Sequence, residues 1–189
     1  MIFIPFLGTV MAILTFPGVI LHEIAHRFFC DVTKTPVLEV KYFGISQKNT
    51  FGHVIHKQAY GLRTNILIDL GPFIINNLVA CFLATPLGII SGMGSGSVFE
   101  VIEIFLIIGL MWLSFSCAYN SFPSSVDVSN LTDYINGYHS IFIQTLYLPF
   151  RLIFFIQRIL SIFWFDAIWA FVISIGQIWF WSYVFSLVE

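Results

Sequence analysis

Charge is scarce in this 189-residue chain, which has eight Lys or Arg and ten Asp or Glu, 10% of its residues. An ordinary soluble domain carries about 25%. The balance is −2 at neutral pH, so the chain has no basic field for a nucleic-acid partner. Cysteine is almost as rare. Cys30, Cys81 and Cys117 are an odd number without a CxxC pair, which excludes a disulfide framework and leaves them as small apolar residues of helices.

Apolar residues fill the space that charge leaves. They make up 58% of the chain, 22 of them are Phe, and the mean hydropathy is +0.92. A soluble core of this length cannot cover so much apolar surface, because roughly 30% of the chain's surface stays exposed in a domain of this size. The composition therefore excludes a soluble enzyme and a disordered tail. It describes an all-α integral membrane protein, with the lipid bilayer as its solvent and residues 1–189 as a single multi-pass domain.

A helix crosses the bilayer core with about 20 apolar residues. Met1 to Leu21 carries no charge and no basic leader, and reads as a first span, not as a signal peptide. Further uncharged runs give a second span near Ile66 to Ile90 and a third near Val98 to Tyr119. The stretch from His139 to Val188 has room for two more, turning near Phe163 to Asp166, unless Pro149 marks a re-entrant segment. The expectation is about five transmembrane helices: a three-helix core over about 1–130 and two further helices over about 139–188.

Six of the eight basic residues, Arg27, Lys34, Lys41, Lys48, Lys57 and Arg63, lie between spans one and two. By the positive-inside rule that loop is cytoplasmic and the N-terminus lies outside. The Gly/Ser-rich turn Ser91 to Ser97 is then outside, and the loop Asn120 to Tyr138 returns to the cytoplasmic face. Within the first loop, Val37 to Phe43 and Gly52 to His56 read as two strands, a small β-hairpin at the membrane surface.

At the end of the first span stands His22-Glu23-Ile24-Ala25-His26, an HExxH sequence. Residues i and i+4 share a helix face, so His22 and His26 can offer two imidazoles to one Zn²⁺. Glu23 lies about 100° round the helix, within reach of a water on the metal without being a ligand. Zinc brings the pKa of such a water to about 7, and the carboxylate takes its proton as it attacks a carbonyl.

A catalytic zinc needs a third protein ligand and an open position. Cys30 continues the i, i+4, i+8 series but stands about 12 Å from His22 along a straight helix, too far for bonds near 2 Å. The remaining donors are Asp69, Asp127, Asp133, His53, His56 and His139. Topology favours Asp127, just past span three on the face that holds the histidines, beyond the helix-breaking Pro123. Asp69, at the opening of span two, is suited to orient a ligand histidine or to serve as a helix N-terminal acid. His53 and His56 read as loop histidines, and His139 as interfacial. Arg151 and Arg158, seven apart, share a helix face and suit lipid headgroups. Trp164, Trp169, Trp179 and Trp181 read as lipid-facing residues of the last span.

These residues resemble the site-2 protease family of intramembrane zinc metalloproteases, which joins HExxH on one helix to an Asn-x-x-Pro…Asp-Gly segment on a later one. The matching residues are His22, Glu23 and His26, then Asn120, Pro123 and Asp127, with a similar Gly71-Pro72…Asn76-Asn77 segment between them. The spacing from Asn120 to Asp127 is one residue short, Val128 stands where the family has glycine, and Asn76 is one place late. No inserted PDZ-like domain is present, so the resemblance is to a minimal, divergent branch. It implies Asp127 as the third zinc ligand and Asn120 as a substrate or oxyanion contact. The implied function is a membrane-embedded protease that cuts membrane-spanning or membrane-adjacent segments, held by strand addition to the hairpin. The alternative is a non-catalytic membrane scaffold that keeps the fold. The expected location is the cell membrane, with the active site toward the cytoplasmic face.

Overall fold

The first apolar run folds as two helices, not one. In this computed structural model, α1 (Phe3–Leu14) and α2 (Phe16–Val32) meet at 82° across Thr15. The cause is Pro17, in the first turn of α2. It has no N–H to give the carbonyl of Ile13, and its ring would clash there, whereas the start of a new helix accepts it readily. The orphaned backbone groups are satisfied by α4 (Val101–Tyr119). Trp112 Nε1 donates to the Leu14 carbonyl at 2.9 Å, and the Ser116 hydroxyl donates to the Thr15 carbonyl at 2.8 Å. The same Ser116 oxygen accepts the Gly18 N–H at 2.8 Å. Irregular backbone at membrane depth is tolerated only where protein covers it in this way. The HExxH residues consequently sit in the middle of α2 and not at the end of a straight span.

The structure describes residues 3–44, 51–92, 101–137, 141–161 and 164–187. After α2 come strands β1 (Val37–Lys41) and β2 (His53–His56), paired antiparallel with an irregularity between Val37 and Glu39. Then follow α3 (Leu62–Gly92), α4, α5 (Ser125–Asn136), α6 (Ile141–Ser161) and α7 (Phe165–Ser186). The expected hairpin and the two C-terminal helices are present, and Pro149 lies inside a continuous α6. His139, residues 93–97 of the Gly/Ser-rich turn, and residue 163 at the last turn lie outside the described residues. Helices α3, α4, α6 and α7 are each long and apolar enough to cross a bilayer, and the bent α1–α2 pair makes a fifth if it counts as one span.

Helix α3 is the hub, packing against α2, α4, α5 and α7. Small residues let α3, α4 and α7 approach closely: Ala80, Cys117, Ala118 and Ala170 form one buried cluster. Beside it the Ser114 hydroxyl donates to the Ala80 carbonyl and shares a 2.9 Å hydrogen bond with Ser174. Trp169 is turned inward, its Nε1 donating to Asn77 Oδ1 at 2.9 Å, and Trp181 Nε1 is buried as well. These two tryptophans therefore belong to the helix interface and not to the lipid face, in contrast to Trp179, which is 80% exposed. Helix α6 is different. It leans on α5 and α7 and leaves most of its surface uncovered.

The loop expected from Asn120 to Tyr138 contains a helix. Pro123 ends the previous element, Ser124 caps α5, and Leu131 and Ile135, one turn apart, bury its inner face. Their partners are Tyr147 of α6 and Leu62, Ile66 and Leu70 of α3.

Candidate metal centre

His22 and His26 project from one face of α2, and Asp127 approaches them from the first turn of α5. One ligand atom from each of the three lies within 4.8 Å of the others, close enough to hold a metal ion together. His26 Nε2 is 3.4 Å from Asp127 Oδ1, and His22 Nε2 is 3.7 Å from Asp127 Oδ2. Direct charge-assisted hydrogen bonds would be about 2.7–2.9 Å. Donors bound at about 2.0–2.2 Å to one tetrahedral ion stand roughly 3.3–3.5 Å apart. Both contacts are longer than direct charge-assisted hydrogen bonds, and they run to the two different oxygens of the carboxylate. All three residues are buried, as is Glu23 beside them.

Each histidine of the triad is held from behind by backbone that the helices leave free. His26 Nδ1 is 2.8 Å from the carbonyl of Ile68, and His22 Nδ1 is 2.8 Å from the carbonyl of Asn120. A carbonyl only accepts, so both Nδ1 atoms donate, and each Nε2 faces Asp127 across the space that a metal ion would take. The Ile68 carbonyl is available because its helical partner four residues on is Pro72, which has no N–H. The Asn120 carbonyl is available because α4 has just ended.

Asp127 is held by a capping box. Its Oδ2 accepts the Ser124 N–H at 2.7 Å, and its own N–H donates to Ser124 Oγ at 3.2 Å. Burial pushes its carboxyl pKa up, but the imidazoles of His26 and His22 outweigh burial and hold it well below the usual carboxylate range.

The other expected residues divide clearly. Asn120 lines the same cavity, but its side-chain amide donates to Thr15 and to the Ser116 carbonyl, stitching the α1–α2 break. Asp69 does not open its helix; it sits about two turns inside α3, where the orienting contact to His26 comes from its neighbour Ile68 instead. Asp133 is exposed on α5 and lines the cavity, but it is not one of the three converging donors. Cys30 is fully buried with Ala59 and Ile68 in an apolar cluster, as the distance argument requires. His53 bonds Glu39 Oε1 at 3.1 Å across the hairpin, and His56 donates to the Lys57 carbonyl. Asn76 donates to the Gly18 and Asn120 carbonyls and so ties α2, α3 and α4 together behind His22.

The triad opens into a cavity of about 700 Å³. Its walls include Glu23, the hairpin residues Gly52, His53 and Val54, and the α6 residues Arg151 and Arg158. No protein-family model, curated protein or solved structure matches the chain.

Proposed function

We propose that this protein is a membrane-embedded zinc metalloprotease that hydrolyses peptide bonds in membrane-spanning or membrane-adjacent protein segments. One observation carries the reading. Two imidazoles from α2 and one carboxylate from α5 converge in a buried cavity that also holds a further carboxylate, Glu23, close enough to interact electrostatically with all three. Two imidazole nitrogens and one carboxylate oxygen suit zinc. A zinc ion, when bound, supplies an acidified water and polarises the scissile carbonyl.

The chain's own residues do the rest. Glu23 accepts the proton of the attacking water and passes it to the leaving amine as the C–N bond breaks. A helical peptide bond is shielded by its own backbone, so the substrate has to be extended to be cut. Strand β2 borders the cavity and is paired on one side, by β1, so its other edge suits addition of an extended segment. The basic stretch from Arg27 to Arg63 supports a cytoplasmic orientation of this hairpin in the cell membrane.

The test is Glu23→Gln in the full-length protein, with single-span substrates and a metal assay run in parallel. Cleavage should be lost, with metal content near one equivalent, and chelator should abolish cleavage by the parent. Loss of metal in the variant would make Glu23 a ligand and refute its role. A zinc-loaded parent with no chelator-sensitive cleavage would favour a non-catalytic scaffold.

A further inference from the structure

Arg151 is the eleventh of the 21 residues of α6, about 15 Å from either end of a helix apolar enough to cross a bilayer. A guanidinium at that depth is costly against lipid and belongs where it meets a partner or a water-filled cavity. Arg151 meets the cavity of the metal triad. Arg158, two turns on, lines the same cavity, and Phe154 and Phe155 between them line it too.

Neither arginine is in an ion pair among the described residues. This is not for want of carboxylates. Asp166 lines the cavity beside Arg158, yet its two oxygens accept from Gln157 at 2.8 Å and Ser161 at 2.6 Å. Asp133, on the α5 side, accepts from Ser129 at 3.5 Å. Asp166 is thus hydrogen-bonded to neutral donors, and neither guanidinium is paired with a carboxylate among the described residues. Among the described residues, α6 packs on α5 and α7.

We infer that Arg151 and Arg158 form a recognition track for acidic side chains of the segment to be cleaved, a deepening that rests on the protease reading above. Seven residues of helix separate the two by about 10.5 Å, the length of roughly three residues of extended chain. The matching ligand is an extended apolar segment with carboxylates four positions apart, which share one face about 13 Å apart, its intervening apolar side chain on Phe154 and Phe155 and its acids on the two planar forks, whose long stems cover the difference. A lipid phosphate would match Arg158 near the helix end but would have to leave the interface to reach Arg151.

The experiment measures binding separately from cleavage. The zinc-loaded, full-length Glu23→Gln protein in neutral phosphatidylcholine nanodiscs is titrated with two labelled single-span peptides. One carries Asp at two positions four apart, and the other carries Asn there. The acidic peptide should bind about tenfold more tightly at low salt. The preference should shrink in about 0.5 M salt and vanish in Arg151→Gln/Arg158→Gln. The reversed pair Arg151→Glu/Arg158→Glu should prefer a Lys-bearing peptide. No preference, or one that survives in the Gln pair, overturns the track. So does a difference between parent and variant that appears only with anionic lipid, which would make the pair a headgroup anchor. Acidic preference without cleavage by the parent protein would sink the protease reading and leave the binding result standing.

Discussion

His26 owes its orientation to Pro72. The two do not touch through their side chains; the link is the Ile68 carbonyl, which accepts His26 Nδ1–H at 2.8 Å because residue 72 has no N–H to claim it. His22 is held in the same manner by the Asn120 carbonyl, left free at the end of α4. The centre is therefore oriented by interruptions in the helices and not by second carboxylates. This suits a low-dielectric site, where each further buried charge would carry a desolvation cost.

Pro72→Ala restores an N–H that competes with His26 for the Ile68 carbonyl. Zinc affinity should fall about tenfold, the lower end of what loss of an orienting partner causes. The helix should not weaken, since proline is the poorest residue for a helix interior. Chelator competition and thermal unfolding together check this: affinity down, stability unchanged or up. An affinity equal to the parent's would remove Pro72 from the account of the site.

Ser124→Ala removes the hydroxyl that accepts the Asp127 N–H and loosens this turn, leaving the backbone N–H of residue 124 on the carboxylate. The cap is worth about 1 kcal/mol of stability. Zinc affinity should fall as well, because the carboxylate loses the hydroxyl that fixes its helical turn. Ser124→Thr keeps the capping oxygen and should restore both. Isothermal titration with zinc, beside denaturation in detergent, separates the two effects. Full affinity in the alanine variant would mean that Asp127 is positioned by packing alone.

The ligand types were legible in the sequence, and their support was not. Two histidines four apart on an apolar helix declare a shared face whatever follows, and of the two acids beyond the later span, Asp127 and Asp133, the first is the one brought to them. The break at Thr15 was masked because an uncharged run reads as one span, although Pro17 was the available signal. Helix α5 was hidden for a different reason: a short amphipathic helix looks like a loop beside long apolar runs. Its capping pattern, Ser124 followed three residues later by Asp127, was there to be read. Nothing local to Ile68 or Asn120 marks their carbonyls as orienting groups. That depends on which helices pack together, as does the facing of Arg151 and Arg158 into the cavity.

Asp127 also sets an acid limb in stability. Burial would raise its pKa, but His26 and His22 hold it below the unfolded value of about 3.9. On acidification the unfolded chain takes up the proton first. The stabilisation is complete above about pH 5 and is lost as the pH falls through 4 and below. Thermal unfolding of the chelator-treated protein should show this decline, and Asp127→Asn should flatten it. An equally steep limb in the variant would assign the decline to other groups.

Gly52 sets the position of Glu23. A Cβ at residue 52 would stand 2.6 Å from Glu23 Cγ and 2.9 Å from its Oε1, so any side chain there displaces the carboxylate. The hairpin thus packs its backbone directly on the proposed base. Gly52→Ala should leave the two histidines and Asp127 in place while Glu23 shifts by several tenths of an ångström or more. A misplacement of about 1 Å can cost roughly 100-fold in rate, so kcat should drop between 10- and 100-fold. Zinc content should stay near that of the parent, because Glu23 is not among the three converging donors. A rise in KM alone would point to strand addition at β2 instead. Unchanged kinetics would mean that Glu23 has a second productive rotamer, and the close contact would then carry no catalytic consequence.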